Sequence, residues 1–191
     1  VGANGFASYF TGGDWPPVAT GTTQELNSAY SPDHDHVWAS GYGGTLLGWD
    51  RANPTVMTQA PEVTPNGEFG QSDFEIRPTT GYGGTTYAVQ SLPLPSKLWK
   101  NDGGGWAALP GDVPLGDAAG GLLFLDATHA WASMDGQNHV YSWDGKGFVF
   151  PDDWTYHDTG TTRGMPRLFQ PPGGKLWAVG DSGIIQHAAA Y

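Results

Sequence analysis

Residues 126–148 read DATHAWASMDGQNHVYSWDGKGF: a turn, a short apolar strand, a second turn, a strand ending in Trp143, and a third turn. The dipeptide Trp131-Ala132 near its start has counterparts at Trp38-Ala39, Tyr87-Ala88 and Trp177-Ala178, at spacings of 49, 44 and 46 residues. A propeller blade of four strands takes about 40 to 50 residues, so each interval is one blade long. A second ring follows each of the first three pairs after 11 or 12 residues, at Trp49, Trp99 and Trp143. Turns then read DRANP, KNDGGGW and DGKGF. Gly, Asn and Asp at such places supply the positive φ of hairpin turns. Apolar runs precede each aromatic-Ala pair, at Leu26 to Tyr30, Phe74 to Ile76, Leu122 to Leu125 and Leu168 to Phe169. Others follow the turns, at Trp106 to Leu109 and Phe148 to Phe150. Each unit is therefore four strands, and the fold class is all-β, a β-propeller of about four four-stranded blades.

One domain, 1–191, is divided into units at 21–65, 66–115 and 116–165, with 1–20 and 166–191 sharing a fourth. Phe6 to Phe10, the turn TGGD and Trp15 to Val18 resemble the second half of a blade, whereas Leu168 to His187 resembles its first three strands. Completing one blade from both termini removes exposed edges. The alternative is a piece of a larger ring. The longest irregular connections run from Pro54 to Asp73 and from Thr155 to Gly164. No stretch of a dozen residues free of Gly and Pro shows helical spacing of apolar residues, and the final HAAAY is too short to stand alone.

Thirty Gly and 15 Pro beside 9 Trp, 8 Tyr and 8 Phe mark short strands and tight turns rather than disorder. A net charge of −11 argues against partners held through phosphates, which sets aside nucleic acid and anionic membranes. No Cys is present, which excludes disulfides, thiolate zinc sites and a cysteine nucleophile. The longest apolar run, Leu122 to Leu125, is far too short for a membrane span. Few Lys and abundant Thr, Gly, Asn and Gln resemble surfaces that meet glycans, cell-wall material or other proteins. The start at Val1, without Met, fits a processed or excised product. The expectation is an exported protein, extracellular or at the cell surface.

The stretches DHDHVWASGYGGTLLGWD (33–50), DATHAWASMDGQNHVYSWDGKGF (126–148) and GGKLWAVGDSGIIQH (173–187) resemble the repeats of the BNR and photosystem-assembly (Ycf48-like) propellers. TTYAVQSLPLPSKLWKNDGGGW (85–106) resembles them less closely. The resemblance implies the propeller fold. It spans functions from glycoside cleavage to the assembly of membrane complexes, so it does not select one. The sialidase Asp-box has KNDGGGW as its nearest equivalent here, without a clean match. Only Arg51, Arg77, Arg163 and Arg167 could supply the arginine cluster that sialidases need.

Asp33-His34-Asp35-His36 is the most metal-like string, but in an extended segment its Asp and His side chains face opposite ways. Asp126-Ala127-Thr128-His129 recurs at the same place, which marks an inter-strand turn. Asp152, Asp153 and Asp158 with Trp154, Tyr156 and His157 form the richest polar and aromatic patch, either a ligand loop or a solvated connection. Trp15, Trp106 and Trp154 follow turns and are expected to be partly exposed, whereas Trp38, Trp49, Trp99, Trp131, Trp143 and Trp177 are assigned to packing between blades. The candidate ligand-binding set is Trp15, Asp102, Trp106, Asp152, Asp153, Trp154 and Tyr156. No Gly-x-Ser-x-Gly elbow or P-loop occurs, and no catalytic residue, metal or cofactor is assigned. The expectation is a non-enzymatic module that binds a glycan or protein partner, as part of a surface assembly. The alternatives are a glycoside-acting hydrolase and a structural subunit that polymerises through incomplete terminal blades, as a homo-oligomer or larger assembly.

Overall fold

The computed structural model describes residues 1–61, 76–82, 84–90, 97–109, 119–126, 128–134, 139–144, 154–158, 167–170, 174–180 and 185–187. Among these the helical structure is one 3-10 turn, Ala3–Gly5, in which Asn4 takes the left-handed conformation at φ 55. All other regular structure is β. The first sheet comprises β1 (Leu26–Tyr30), β2 (His36–Gly41), β3 (Leu46–Asp50) and β4 (Met57–Gln59). The second comprises β5 (Ile76–Tyr82), β6 (Thr85–Gln90), β7 (Lys97–Asn101) and β8 (Trp106–Ala108). The third comprises β9 (Ala119–Phe124), β10 (Ala130–Met134), β11 (His139–Trp143) and β12 (Trp154–Asp158). The fourth has β13 (Arg167–Phe169), β14 (Trp177–Val179) and β15 (Ile185–His187).

Each sheet is an antiparallel meander in which strands pair in chain order. The first strands contact one another in the series β1, β5, β9, β13, so they line a common axis while later strands lie outward. This is the blade arrangement of a β-propeller. Apolar clusters fill the gaps between consecutive sheets. Leu46, Ala60, Ala88 and Trp106 join the first to the second. Tyr87, Val89, Leu122, Phe124, Tyr141 and Trp143 join the second to the third, with Tyr87 stacked on Phe124 at a ring separation of 3.7 Å. Trp131, Val140, Leu176 and Leu168 join the third to the fourth. A sheet covered on both faces needs apolar residues at consecutive positions, and β6 is accordingly buried from Thr86 to Gln90.

Several expectations are corrected. The fourth strand of the third unit is Trp154–Asp158, which pairs residue for residue with His139–Trp143, and Phe148 to Phe150 lie outside the described residues. Aromatic and β-branched residues in WTYHD suit a strand, so residues 155–158 of the connection expected from Thr155 to Gly164 are sheet. The first strand of the second unit is Ile76–Tyr82, ended by a tight turn in which Tyr82 pairs with Thr85; Phe74 lies outside the described residues. Trp99 is not the register equivalent of Trp49 and Trp143. Those two pair with Val37 and Ala130, one residue before the aromatic of the second strand. In the second sheet that position pairs Thr86 with Asn101, and Trp99 lies two residues earlier, opposite Ala88. A two-residue difference keeps the same face, so the pattern survived while the register moved.

Residues 1–20, expected to share a blade with 166–191, make their described bonds between segments to the first sheet. The segment folds on itself where Ser8 bridges Pro17, and it reaches the first sheet where Ala19 bridges Val56 in parallel and the Leu26 N–H donates to the Gly2 carbonyl. Gly5 passes so close to Thr22 that a Cβ would lie 2.0 Å from its carbonyl oxygen, and the Thr20 hydroxyl donates to the Gly5 carbonyl at 2.7 Å. Ala7 and Val18 thereby cover Leu26, Ala39, Leu47 and Met57 on the outer face of the first sheet, while Tyr9 lies against Trp49. Trp177, assigned to packing between blades, is instead exposed on the far side of the fourth sheet.

Candidate functional site

In a meander, the turn between strands one and two and the turn between strands three and four fall at the same end. In the first two sheets these four turns surround a cleft of about 420 Å³. Pro32, Asp33 and His36 come from the β1–β2 turn, Asp50 and Asn53 from the β3–β4 turn, Gly84 from β5–β6 and Gly103 from β7–β8. Trp38 and Thr58 line it from the first sheet, and the buried Thr86 and Asn101 from the second.

The turns hold their shape through carboxylate and amide caps. Asp33 accepts the N–H groups of Asp35 and His36 at 2.8 Å each, and both its oxygens lie 2.9 Å from His36 Nδ1. Asp50 accepts the Ala52 N–H at 2.7 Å, and Asn101 accepts the Gly103 N–H at 2.8 Å. The Arg51 N–H donates to the Asp35 carbonyl at 2.8 Å, tying two turns together, and the Arg51 guanidinium lies 2.7 Å from His34 Nδ1. The third sheet repeats the device, with Asp126 accepting the Thr128 N–H at 2.7 Å and lying 2.9 Å from His129 Nδ1. Asp-x-x-His is thus a turn cap in two blades. Among the described residues no group of three or more His, Asp or Glu is placed to hold a metal ion.

These bonds set the charges. The His36 hydrogen bond, followed by the Asp35 N–H, lowers the Asp33 pKa, and the same Asp33 contact raises that of His36, with Asp50 and Asp35 adding to the rise. The Thr128 N–H, with smaller help from His129, brings Asp126 down to about 2. Each carboxylate is stabilised in its charged form by donors aimed at it.

Trp38 forms the apolar wall of the cleft. Its ring crosses Gly48, its partner on β3, where a Cβ would sit 2.9 Å from Cζ3. Behind it stands Trp106, edge-on at 5.0 Å. Trp106 was expected to be partly exposed, but it is 5% exposed and wedged between the first two sheets, and its buried Nε1 has no hydrogen-bond partner among the described residues. The tight GGG turn folds β8 back so that Trp106 pairs with Asn101, which directs the ring inward.

The other candidate residues scatter. Asp102 is exposed in the β7–β8 turn between two cleft-lining residues, 3.4 Å from Lys100 Nζ. Trp15 is 65% exposed on the N-terminal segment beside Phe10, whose ring is 5.2 Å away. Trp154 and Tyr156 lie on β12, their side chains outside the described structure, and Asp152 and Asp153 lie outside the described residues altogether. Sequence reasoning missed Thr58, Thr86 and Asn101. The signal for them is parity, since every odd-numbered turn of a meander array falls on one end face. A further polar contact joins Ser142 Oγ to His157 Nε2 at 2.8 Å, beneath the ring of Trp131. Burial lowers the His157 pKa.

The stacked meanders around an axis define a β-propeller repeat protein. Solved structures share the arrangement at 13–14% identity. The WD40 β-propeller domain of Doa1 superposes with a TM-score of 0.69 over 99% of this chain and 60% of its own. The computationally designed Ika8 protein gives 0.65 over 98% and 54%, and YCF48 bound to D1 peptide gives 0.51 over 98% and 69%. The chain therefore spans between about half and about two thirds of the length of these structures. No protein-family model matches the sequence, and no curated protein matches it.

Proposed function

We propose that the chain is a non-catalytic binding module, and that an extended basic segment of a protein partner lies in the cleft between the first two sheets. The observation that carries this reading is the make-up of that cleft, with an indole wall at Trp38, a buried polar floor at Thr86 and Asn101, and a carboxylate rim at Asp33 and Asp50. A Lys or Arg stem packs along the indole while its charge meets the rim. A net charge of −11 adds long-range attraction for such a segment. YCF48, similar in fold, is a peptide-bound propeller. Asp33, on the cleft rim, is held in its charged form by the donors aimed at it, which suits it to meet a cation. The cysteine-free, Lys-poor composition fits an exported setting in a surface assembly.

A glycan ligand is the second reading, favoured by Trp15, whose exposed ring offers a stacking surface for a sugar. Titration of tryptophan fluorescence with a short Lys/Arg-rich peptide and, separately, with neutral oligosaccharides distinguishes the two. The expected outcome is saturable peptide binding that weakens with salt. Thr58→Arg, an exposed position inside the cleft, is expected to raise Kd by about tenfold or more without altering the melting temperature. Peptide binding unchanged by Thr58→Arg, or binding of oligosaccharide alone, rejects the cleft assignment.

A further inference from the structure

Two cavities open at the turn end of the first sheet, one on each of its faces. The cleft described above lies toward the second sheet, and a hollow of about 500 Å³ lies toward the N-terminal segment, against Tyr9 and Thr11. Neighbouring residues divide between them. Asp33 and Asp50 line the cleft, whereas His34 and Arg51, each next in the chain, line the hollow. The first sheet therefore presents carboxylates on one side and a guanidinium on the other. Trp49 borders both cavities, so they meet across a single residue.

The Arg51 guanidinium is fixed in the hollow without losing its charge. Its residue's N–H ties the two turns together through the Asp35 carbonyl, and the guanidinium itself lies 2.7 and 2.8 Å from the two ring nitrogens of His34. Among the described residues no carboxylate forms an ion pair with it, in a chain of 19 acidic residues against 8 basic ones. The acid in that network is Asp35, which lies 3.2 Å from His34 Nδ1 and so pairs with the ring rather than the guanidinium. An exposed guanidinium keeps its fork of donors for a planar acceptor with two oxygens, and a carboxylate matches it. Arg51 and His34 both belong to the first sheet's own turns, so the site does not depend on either end of the chain.

We propose that the hollow takes a carboxylate of the same partner segment whose basic residue lies in the cleft, so that the chain recognises a basic and an acidic residue set about three positions apart. This rests on the reading of the cleft given above and adds the partner's second charge. The spacing follows from layer geometry. Packed layers lie about 10 Å apart and an extended chain advances about 3.3 Å per residue, so a segment crossing the end of the first sheet reaches both of its sides within about three residues.

Long-range electrostatics alone has the opposite consequence. Toward a chain of net charge −11, exchanging a Gln of the peptide for Glu weakens binding unless a local cation receives the carboxylate. The test uses short peptides with a Lys-Arg pair and Glu three residues before or three residues after it, each with a Gln counterpart, titrated against tryptophan fluorescence. One Glu peptide is expected to bind about fivefold more tightly than its Gln counterpart. Arg51→Gln is expected to abolish that preference while leaving the affinity for the Gln peptide within about twofold. The melting temperature is expected to stay unchanged, because the side chain is exposed and the backbone tie to Asp35 remains. Arg51→Lys keeps a charge without the fork and is expected to retain part of the preference. Gln peptides that bind as tightly as both Glu peptides overturn this inference and leave the cleft reading standing, and so does a Glu preference that survives Arg51→Gln. Failure of every peptide to bind sinks the cleft reading, and this inference with it.

Discussion

The third and fourth sheets carry nearly the same words in different surroundings. Trp131-Ala132-Ser133 and Trp177-Ala178-Val179 occupy equivalent strands, and in each the Ala is buried. Trp131 is enclosed by Val140, Leu168, Leu176 and the His157 ring, whereas Trp177 has the edge of the His187 ring at 5.0 Å and then solvent. What a Trp contributes to such a fold is therefore decided by the next layer, not by its own strand. Trp131→Ala is expected to cost about 3–5 kcal/mol, through lost burial and the cavity left between two sheets. Trp177→Ala, measured by chemical denaturation where the chain is monomeric, is expected to cost less than about 1 kcal/mol. Equal costs would mean that the fourth sheet's outer face is covered after all.

The first sheet sharpens the same lesson with a ring that is half covered. Trp38 leans on Trp106 from one side and opens to the cleft on the other, and its position depends on Gly48 having no side chain. Gly48→Ala pushes a methyl group into Cζ3 of the indole, which must tilt toward the cleft or away from Trp106. The expected loss is about 1–3 kcal/mol, typical of overpacking, with a change in the tryptophan near-UV signal and weaker peptide binding. A stable Gly48→Ala variant with unaltered binding would show that the ring has room to spare.

The all-β class, the number of units and the aromatic-Ala strands were legible because period and turn chemistry are local properties. Limits of that kind of reading show in GYGGT, which occurs twice. At 41–45 it links the second and third strands of the first sheet, where the Gly41 N–H donates to the Thr45 carbonyl. At 81–85 it lies between the first and second strands of the second sheet. One pentapeptide makes a turn in both places without saying which turn. Trp99 misled for a related reason, since the β6–β7 connection is longer than its counterparts and register is a sum over the hairpin. For the N-terminal segment, a strand-like stretch does not name the partner it finds, and its described bonds between segments go to the first sheet. In the site, the capped turns could be read, and the DHDH string is a turn as its recurrence at Asp126 implied. The cleft between them could not, because it depends on two sheets meeting. Trp106, expected to be partly exposed because it follows a turn, is in the gap because its strand folds back.

The smallest effects compare two histidines. His36 in the first sheet is hydrogen-bonded to Asp33, which raises its pKa above the ordinary 6.5, so the folded state favours the protonated ring. Its contribution to stability is complete below about 6.5 and is lost as pH rises through the raised value. His157 in the third sheet is half-buried against Trp131, and burial lowers its pKa from the same 6.5. Its folded state favours the neutral ring, so its contribution is present above 6.5 and is lost as pH falls through the lowered value. The two therefore tilt the stability profile in opposite directions around neutrality. His36→Asn is expected to make the remaining profile rise more steeply with pH, and His157→Asn to flatten or reverse it. Each change should be below about 1 kcal/mol, because His36 is solvent-screened and His157 only partly enclosed. Denaturation midpoints between pH 5 and pH 8 read both, and slopes that moved in the same direction would mean that one ring does not sit in the surroundings described.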